Sequence, residues 1–140
     1  MVLVILLDTC FFVALINKDD QNHNRADQLL EDILKGMYGT RITSDYVLDE
    51  AITVTWVRTK NKGLVKDVGE LIMGPQAIVA LQTNPPNYLA DSWSIFQKYA
   101  SIDRKLSFTD CSLINFARQN NIQQILSFDS EFDGLIARIC

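Results

Sequence analysis

Residues 2–9 read VLVILLDT, and this stretch decides the fold of the chain. Six apolar residues in a row, three of them β-branched, are too few for a helix of ordinary length. They suit a strand that is buried on both faces, as in a parallel sheet covered by helices. The run ends at Asp8, which places a carboxylate at the C-terminal end of the strand, where open α/β sheets bind ligands. A plainer role stays open, because Asp8 or Thr9 could simply cap a following helix.

The composition predicts one compact domain over residues 1–140. Hydrophobic residues make up 48% of the chain, and it contains only 6 Gly and 3 Pro. Neither a repeat nor a linker divides it. Asp8 interrupts the apolar N-terminal stretch, and no basic residue precedes it, so we expect no signal peptide. No apolar run is long enough to span a membrane, and a cytoplasmic protein is expected.

Cysteine, histidine and net charge exclude several classes of site. Cys10, Cys111 and Cys140 lack the spacing of a zinc site or a disulfide framework, and we expect buried free thiols, with Cys10 and Cys111 facing the core. The single histidine, His23, cannot support a histidine-based hydrolase unaided and is expected at a helix start. A net charge of −4 argues against a general nucleic-acid coat protein. An enzyme that concentrates acids around a metal ion remains compatible with it.

The rest of the chain alternates between helical and strand patterns. Helices are predicted over residues 10–16, 26–34, 45–58, 64–73, 88–100 and 107–119, and further strands over residues 41–43, 77–81, 124–128 and 137–140. This alternation favours an α/β fold in which the strands are parallel. The C-terminal edge of the sheet would then gather strand ends and helix starts in one place.

Two acids are predicted on helices close to apolar side chains. Glu50 lies beside a buried stripe predicted as Leu48, Ala51, Ile52, Thr55 and Trp56, whereas Asp49 points away and is expected in solvent. Asp110 heads the apolar stripe of its own helix, with Leu113, Ile114 and Ala117 at i+3, i+4 and i+7. Favourable interaction with the helix dipole would explain an acid in the first turn, but not its position on the buried face.

A fourth acid, Asp129, follows the strand at residues 124–128, as Asp8 follows the first strand. An ordinary turn residue is the plainer reading. If Asp8, Glu50, Asp110 and Asp129 converge, at least one should titrate well above its ordinary value, because like charges repel. All-oxygen ligands suit Mg²⁺ or Mn²⁺ rather than zinc or copper. Such ions on carboxylates are used for phosphodiester hydrolysis.

At this point the chain resembles the PIN domains, in particular the VapC-type ribonuclease toxins of prokaryotic toxin–antitoxin pairs. The resemblance covers the whole chain and rests on Asp8-Thr9, on Glu50 in a helix opened by Thr43-Ser44, on SFTD at residues 107–110, and on SFD at residues 127–129 with Phe132. His23, three residues before Ala26, also fits the pattern. The family often has Ser or Asn in place of Cys10, and commonly Ala in place of Cys111.

The resemblance implies a three-layer α/β/α fold around a parallel sheet of four or five strands, often dimeric. It implies metal-dependent hydrolysis of RNA, with Asp8, Glu50 and Asp110 holding Mg²⁺ or Mn²⁺ directly or through water. Asp129 would complete this site or a second one, and Asp133 is its nearest rival. The hydroxyls of Thr9 and Thr109 would orient ligands or water, although either could instead be only a helix cap.

Partners and alternatives complete the expectations. The partners implied are RNA, a small antitoxin protein and a second copy of the chain. Arg58, Lys60, Lys62 and Lys66 form a basic concentration, a candidate nucleic-acid contact or simply a solvated helix end. A housekeeping RNA-processing nuclease remains an alternative, as does a non-catalytic module that binds RNA or protein. A haloacid-dehalogenase-type phosphotransferase would need a second Asp where Cys10 stands.

Overall fold

Five strands form one sheet in the computed structural model, which describes residues 2–140: β1 Val4–Leu7, β2 Thr40–Ser44, β3 Ala80–Gln82, β4 Gln124–Leu126 and β5 Ala137–Ile139. Their order is β3-β2-β1-β4-β5, and every neighbouring pair is parallel. β1 lies at the centre, and its residues Ile5, Leu6 and Leu7 are fully buried. The apolar run at the start of the sequence is therefore the middle of the sheet, as predicted.

Six helices connect the strands: α1 Thr9–Ile16, α2 His23–Leu34, α3 Asp45–Thr59, α4 Lys62–Met73, α5 Tyr88–Tyr99 and α6 Phe108–Gln119. α1 packs against α2, α3 and α4, while α5 packs mainly against α6. Right-handed connections between parallel strands place α1 to α4 on one face and α5 and α6 on the other. The three-layer α/β/α prediction is confirmed. No helix within residues 2–140 is both long and apolar enough to cross a membrane.

The strand order places a switch point beside the central strand. The chain moves outward from β1 to β2 and β3, and then returns to pair β4 with the free side of β1. Connections on the two sides of this point lie on opposite faces of the sheet and leave a crevice at the carboxyl ends of the strands. Asp8 follows β1 at this crevice, and the turn that contains Asp129 follows β4.

All predicted helices and strands are present, with shifted ends. β1 begins at Val4 rather than residue 2, and β3 begins at Ala80 rather than residue 77. β4 ends at Leu126 rather than residue 128, because Leu126 is its last residue paired with β1. Two residues, Ser127 and Phe128, consequently separate Asp129 from the strand, and Asp129 caps a short 3₁₀ helix, Ser130–Phe132.

The buried face of α3 differs from the prediction. Val47, Ala51 and Thr55 are fully buried, whereas Leu48 and Ile52 are only partly buried. Trp56 was expected in the buried stripe but is 43% exposed. The Lys62 ammonium lies 5.0 Å from the centre of its ring, so a cation rather than the core covers this face. The true stripe repeats every four residues and contains small or branched side chains that fit against the sheet and neighbouring helices.

Three aromatic residues connect helix starts near the carboxyl edge of the sheet. Tyr46 in the first turn of α3 packs edge-to-face against Tyr88, the first residue of α5, and against Phe108, the first residue of α6. The ring centroids are 5.5 and 6.3 Å apart. Edge-to-face aromatic pairs add to the stability gained from burial. The first turn of α6, which carries Asp110, is thereby held against the start of α3.

Candidate active site

Four acids line one cleft of about 290 Å³ at this edge: Asp8, Glu50, Asp110 and Asp129. Thr9, Cys10, Val13, Val54, Arg58, Lys105 and Ser107 complete its lining. The acids come from the end of β1, the middle of α3, the first turn of α6 and the turn after β4. The structure therefore brings together all four acids that the sequence singled out, although they are separated by up to 121 positions in the chain.

Asp8 serves as a helix cap and also belongs to the cleft. Its Oδ1 accepts a hydrogen bond of 2.7 Å from the backbone N–H of Thr9, so the plainer reading of this residue is also correct. Its Oδ2 accepts a bond of 2.7 Å from the hydroxyl of Ser127 and one of 3.4 Å from the thiol of Cys10. Only 3% of the residue is exposed, so Asp8 is held rigidly at the bottom of the cleft.

Ser127 and Cys10 tie Asp8 to the turn that carries Asp129. The Ser127 hydroxyl accepts a hydrogen bond of 3.0 Å from the Asp129 backbone N–H while it donates to Asp8. The Cys10 sulfur accepts one of 3.2 Å from the backbone N–H of Phe128. Cys10 was expected to face the core and instead lies in this polar network. Burial, followed by the charge of Asp8, raises the pKa of the Cys10 thiol, which keeps it protonated and able to donate.

Asp110 is buried in the first turn of α6, on the side that faces the cleft. It forms a capping box with Ser107, in which its Oδ2 accepts a bond of 2.8 Å from the Ser107 N–H and its own N–H donates to the Ser107 hydroxyl at 3.0 Å. Cys111 beside it is fully buried in the core, as predicted, whereas Cys140 was also expected to be buried but is exposed, because it follows the edge strand β5. Burial of Asp110 on the core-facing side of α6 is also as the sequence indicated.

Glu50 and Asp129 are the more exposed members of the set. Glu50 is half-buried on α3, whereas its neighbour Asp49 is exposed, as predicted. Asp129 caps the 3₁₀ helix, and its Oδ1 accepts a bond of 2.9 Å from the Glu131 N–H. Asp133, the other candidate from the sequence, does not line the cleft. Its carboxylate forms a bidentate ion pair with the Arg138 guanidinium, with N–O distances of 2.8 and 3.1 Å. This geometry favours Asp129 as the fourth acid.

The two predicted hydroxyl residues differ in position. Thr9 lines the cleft and is 5% exposed, and its Oγ1 has no hydrogen-bond partner among the described residues. An unpartnered hydroxyl at this depth is costly unless a ligand or water satisfies it. Thr109 is absent from the residues that line the cleft, and Ser107 provides the hydroxyl on that side. The Ser107 bonds to Asp110 follow the three-residue spacing of a capping box, whereas the Ser127 bond to Asp8 joins distant parts of the chain and no local spacing shows it.

The pKa values of two acids are raised. Burial, opposed by hydrogen bonds, raises the pKa of Asp8 from 3.8 to about 6, and the charge of Glu50 acts in the same direction. Burial, followed by the charge of Asp8, raises the pKa of Asp110 from 3.8 to about 7. A raised pKa was expected from repulsion between the acids, but loss of solvent is the larger cause. Such shifts are common where acids are arranged for chemistry.

The donor set fits a hard divalent cation held partly through water. Within residues 2–140, no three acidic, histidine or cysteine side chains form a ready-made metal-binding group. Three of the acids also accept hydrogen bonds from nearby backbone N–H groups. Mg²⁺ keeps several waters and binds proteins through one or two carboxylates. The unpartnered Thr9 hydroxyl and the four carboxylates of the cleft are consistent with such an ion.

Comparison with known proteins identifies the family. A family model described as the PIN domain matches residues 5–135. The chain belongs to the PIN-domain family. No curated protein sequence gives a significant match. The match spans all four acids of the cleft and confirms the resemblance recognised in the sequence.

Solved structures share the fold of this PIN domain. VapC20 from Mycobacterium tuberculosis, a toxin that cleaves the sarcin-ricin loop, matches with a TM-score of 0.75 and 22% identity, covering 91% of this chain and 92% of that one. VapBC2 from Rickettsia felis, bound to a DNA fragment from its promoter, matches with a TM-score of 0.65 and 13% identity, and the match covers 97% of each chain. A toxin–antitoxin complex from Klebsiella pneumoniae matches with a TM-score of 0.63 and 14% identity, covering 96% of this chain and 95% of that one. At these identities the likeness concerns the fold.

Proposed function

We propose that this PIN domain is a Mg²⁺- or Mn²⁺-dependent endoribonuclease, and the toxin of a type II toxin–antitoxin pair. The observation that carries the proposal is the cleft in which Asp8, Glu50, Asp110 and Asp129 meet. Burial raises the pKa values of two of these carboxylates, and a bound cation would stabilise their charged forms. Membership of the PIN family and the fold shared with an RNA-cleaving toxin support RNA as the substrate.

The roles of the side chains follow from their positions. Asp8 and Asp110 are buried and fixed by hydrogen bonds, so they supply oxygens at constant positions, while Glu50 and Asp129 are less restrained. The Thr9 hydroxyl has unused hydrogen-bonding capacity with which to hold a water in the cleft. A bound divalent cation would supply Lewis-acid activation of water and stabilise charge on phosphate oxygens.

The toxin assignment also implies a protein partner and an oligomeric state. Structures that share this fold include toxin–antitoxin complexes, and we propose that a small antitoxin binds this chain and inhibits it. A basic side chain of such a partner would be attracted to the acidic cleft. We further propose a homodimer, and we expect the protein to act in the cytoplasm, where its RNA substrate is found.

Cleavage assays with a panel of structured RNAs test the proposal. Wild-type protein should cleave with Mn²⁺ or Mg²⁺ and lose activity in EDTA, because the chain has one histidine and no obvious metal-free route. Asp8→Asn should lower cleavage at least a hundredfold, since Asp8 is the most constrained acid of the cleft. Full activity in EDTA, or an active Asp8→Asn protein, would refute the mechanism.

Two further measurements separate the alternatives. A non-catalytic PIN module should show little change in thermal melting when Mn²⁺ is added, whereas a metal-binding nuclease is stabilised by mass action. A neighbouring reading frame that encodes a small inhibitory protein would distinguish a toxin from a housekeeping RNA-processing nuclease. If there is no such frame and expression does not harm the host, the toxin assignment fails while the nuclease assignment stands.

A further inference from the structure

The basic residues near the end of α3 do not share one surface. Only Arg58 lines the acidic cleft. Lys60 adopts a left-handed conformation as the C-cap of α3, and the Lys62 ammonium lies over the ring of Trp56. Lys66 lines a different groove, between α3 and α4. The cluster expected from the sequence therefore separates into one residue at the cleft and three elsewhere.

A second cation lines the cleft from another element. Lys105 lies in the loop before α6, two residues before the capping Ser107 and five before Asp110. Arg58 follows Glu50 on α3 by eight residues, about two helical turns. The acidic cleft therefore carries one cation on its α3 side and one on its α6 side.

Both cations are available to a ligand. Lys105 is exposed and has no ion-pair partner in the described part of the chain. Arg58 has a side chain that is 60% exposed and a single long contact of 3.9 Å to Asp20. This contact contributes little, because it is long and its Arg58 end is exposed to solvent. By contrast, Arg104 and Arg138 are committed to backbone carbonyls at 3.0 to 3.3 Å.

We propose that Arg58 and Lys105 bind RNA phosphates on either side of the scissile bond, an inference that rests on the proposed nuclease function. A polyanion that enters a cleft lined by four acids is repelled unless cations meet the phosphates outside the reacting one. The Arg58 guanidinium can hold a phosphate with two parallel hydrogen bonds, whereas Lys105 offers a single flexible charge. Lys60, Lys62 and Lys66 make no such contact.

Salt-dependent kinetics test the pair with controls from the same chain. Arg58→Ala and Lys105→Ala should each raise KM for RNA about tenfold and change kcat little. Each should also reduce the steepness of log(kcat/KM) against log[salt] by about 0.7, the value for loss of one contact to a single-strand phosphate. Lys60→Ala and Lys66→Ala should leave both quantities at wild-type values. Arg58→Lys keeps the charge and should keep the salt slope.

Each outcome decides the proposal. Equal effects from the two control lysines would show a general electrostatic field rather than a specific pair, and would overturn it. Wild-type kinetics in both Arg58→Ala and Lys105→Ala would also overturn it, while leaving the nuclease function intact. A wild-type protein that cleaves no RNA would remove the proposed function and this inference together. Thermal melts of all four alanine variants identify any loss caused by unfolding.

Discussion

At the scale of single residues, Glu50 and Asp49 offer a matched test of the site. They are adjacent on α3, but Glu50 is half-buried in the cleft and Asp49 is exposed outside it. Glu50→Gln should lower the cleavage rate at least a hundredfold, because it removes one charge from the acid set at nearly constant volume. Asp49→Asn should retain at least half of wild-type activity. RNA cleavage at saturating Mn²⁺ measures both effects.

The reverse ranking would mean that Asp49 rather than Glu50 acts in the reaction. Circular dichroism at the assay temperature checks that both variants are folded. Because the two substitutions alter neighbouring residues of one helix by the same chemical change, a difference in activity cannot come from helix propensity.

Individual site residues could be predicted from the sequence where a charged side chain stands within an apolar pattern. Asp8 and Asp110 stand out because each interrupts or heads an apolar run. Lys105 does not stand out, because it lies in a polar loop with no periodicity to show which way it points. Cys10 was misplaced since a thiol suits an apolar core and a polar network equally well. Two of its side-chain hydrogen bonds are to Ser127 and Phe128, in the turn after β4 and more than a hundred positions away in the chain.

At the scale of elements, the turn after β4 depends on two side chains. The Ser127 hydroxyl joins Asp8 to the Asp129 backbone, and Ser127→Ala should lower Mn²⁺ affinity and cleavage by about tenfold to a hundredfold. Cys10→Ala should have a smaller effect, since its bond to Asp8 is long, at 3.4 Å. Cys10→Ser should retain activity, because a hydroxyl can make the same contacts. Mn²⁺ titrations followed by cleavage rate measure these changes.

Ser112→Ala is a suitable control for the loss of a buried serine hydroxyl. Ser112 is buried on α6 and donates to the carbonyl of Thr109 at 2.6 Å, away from the cleft lining. The Ser112→Ala substitution should lower the free energy of unfolding without changing the affinity for Mn²⁺. If Ser127→Ala behaves like Ser112→Ala, the turn does not need its hydroxyl bridge.

Element types were more predictable than element faces. Apolar periodicity and caps gave every helix and strand, because local sequence determines where hydrogen-bonded backbone can start and stop. The face of α3 was less clear, since Val47, Leu48, Ala51 and Ile52 offer two overlapping apolar stripes. Packing against α1, α4 and α6 selects one of them. That choice depends on tertiary contacts that no local pattern contains.

At the scale of the whole molecule, the buried acids predict a pH-dependent stability. Their pKa values in the folded protein, about 6 for Asp8 and about 7 for Asp110, exceed the value of 3.8 in the unfolded chain. The folded state therefore binds more protons between these values, and the free energy of unfolding falls as pH rises from about 4 to about 7. Without metal, the contribution lost from Asp110 is at most roughly 4 kcal/mol, from 1.36 kcal/mol per pKa unit.

The substitution Asp110→Asn separates the contribution of Asp110 to the pH dependence of stability from the contributions of the other carboxylates. Asparagine keeps an oxygen that can accept from the Ser107 N–H, but it carries no charge. In urea melts with EDTA at pH 7.5, the variant should be at least as stable as wild type, and its stability should fall less between pH 5 and 7.5. It should also be inactive and respond less to Mn²⁺. A destabilised, active variant with an unchanged metal response would make Asp110 only a helix-dipole acid.

The fold as a whole was readable from the sequence because strand and helix patterns alternate and β1 is apolar throughout. The order of strands in the sheet was not, since it depends on which side of β1 receives β4. The four acids converge only because that order places the carboxyl ends of β1 and β4 side by side. Their type was visible in the sequence, and the predicted parallel sheet indicated that they could meet at one edge, but not which strands would bring them there.

The position of β4 beside β1 also has a consequence for synthesis of the chain on the ribosome. Asp8 and Glu50 emerge early, together with β2, which pairs with β1. Asp110, Ser127 and Asp129 are translated after most of the fold, and their places in the cleft wait for β4 to insert. Domains fold as units during translation, so a nascent chain that stalls before β4 carries an unfinished site. If this chain is the proposed nuclease, its set of four acids is completed only after most of the domain has been translated.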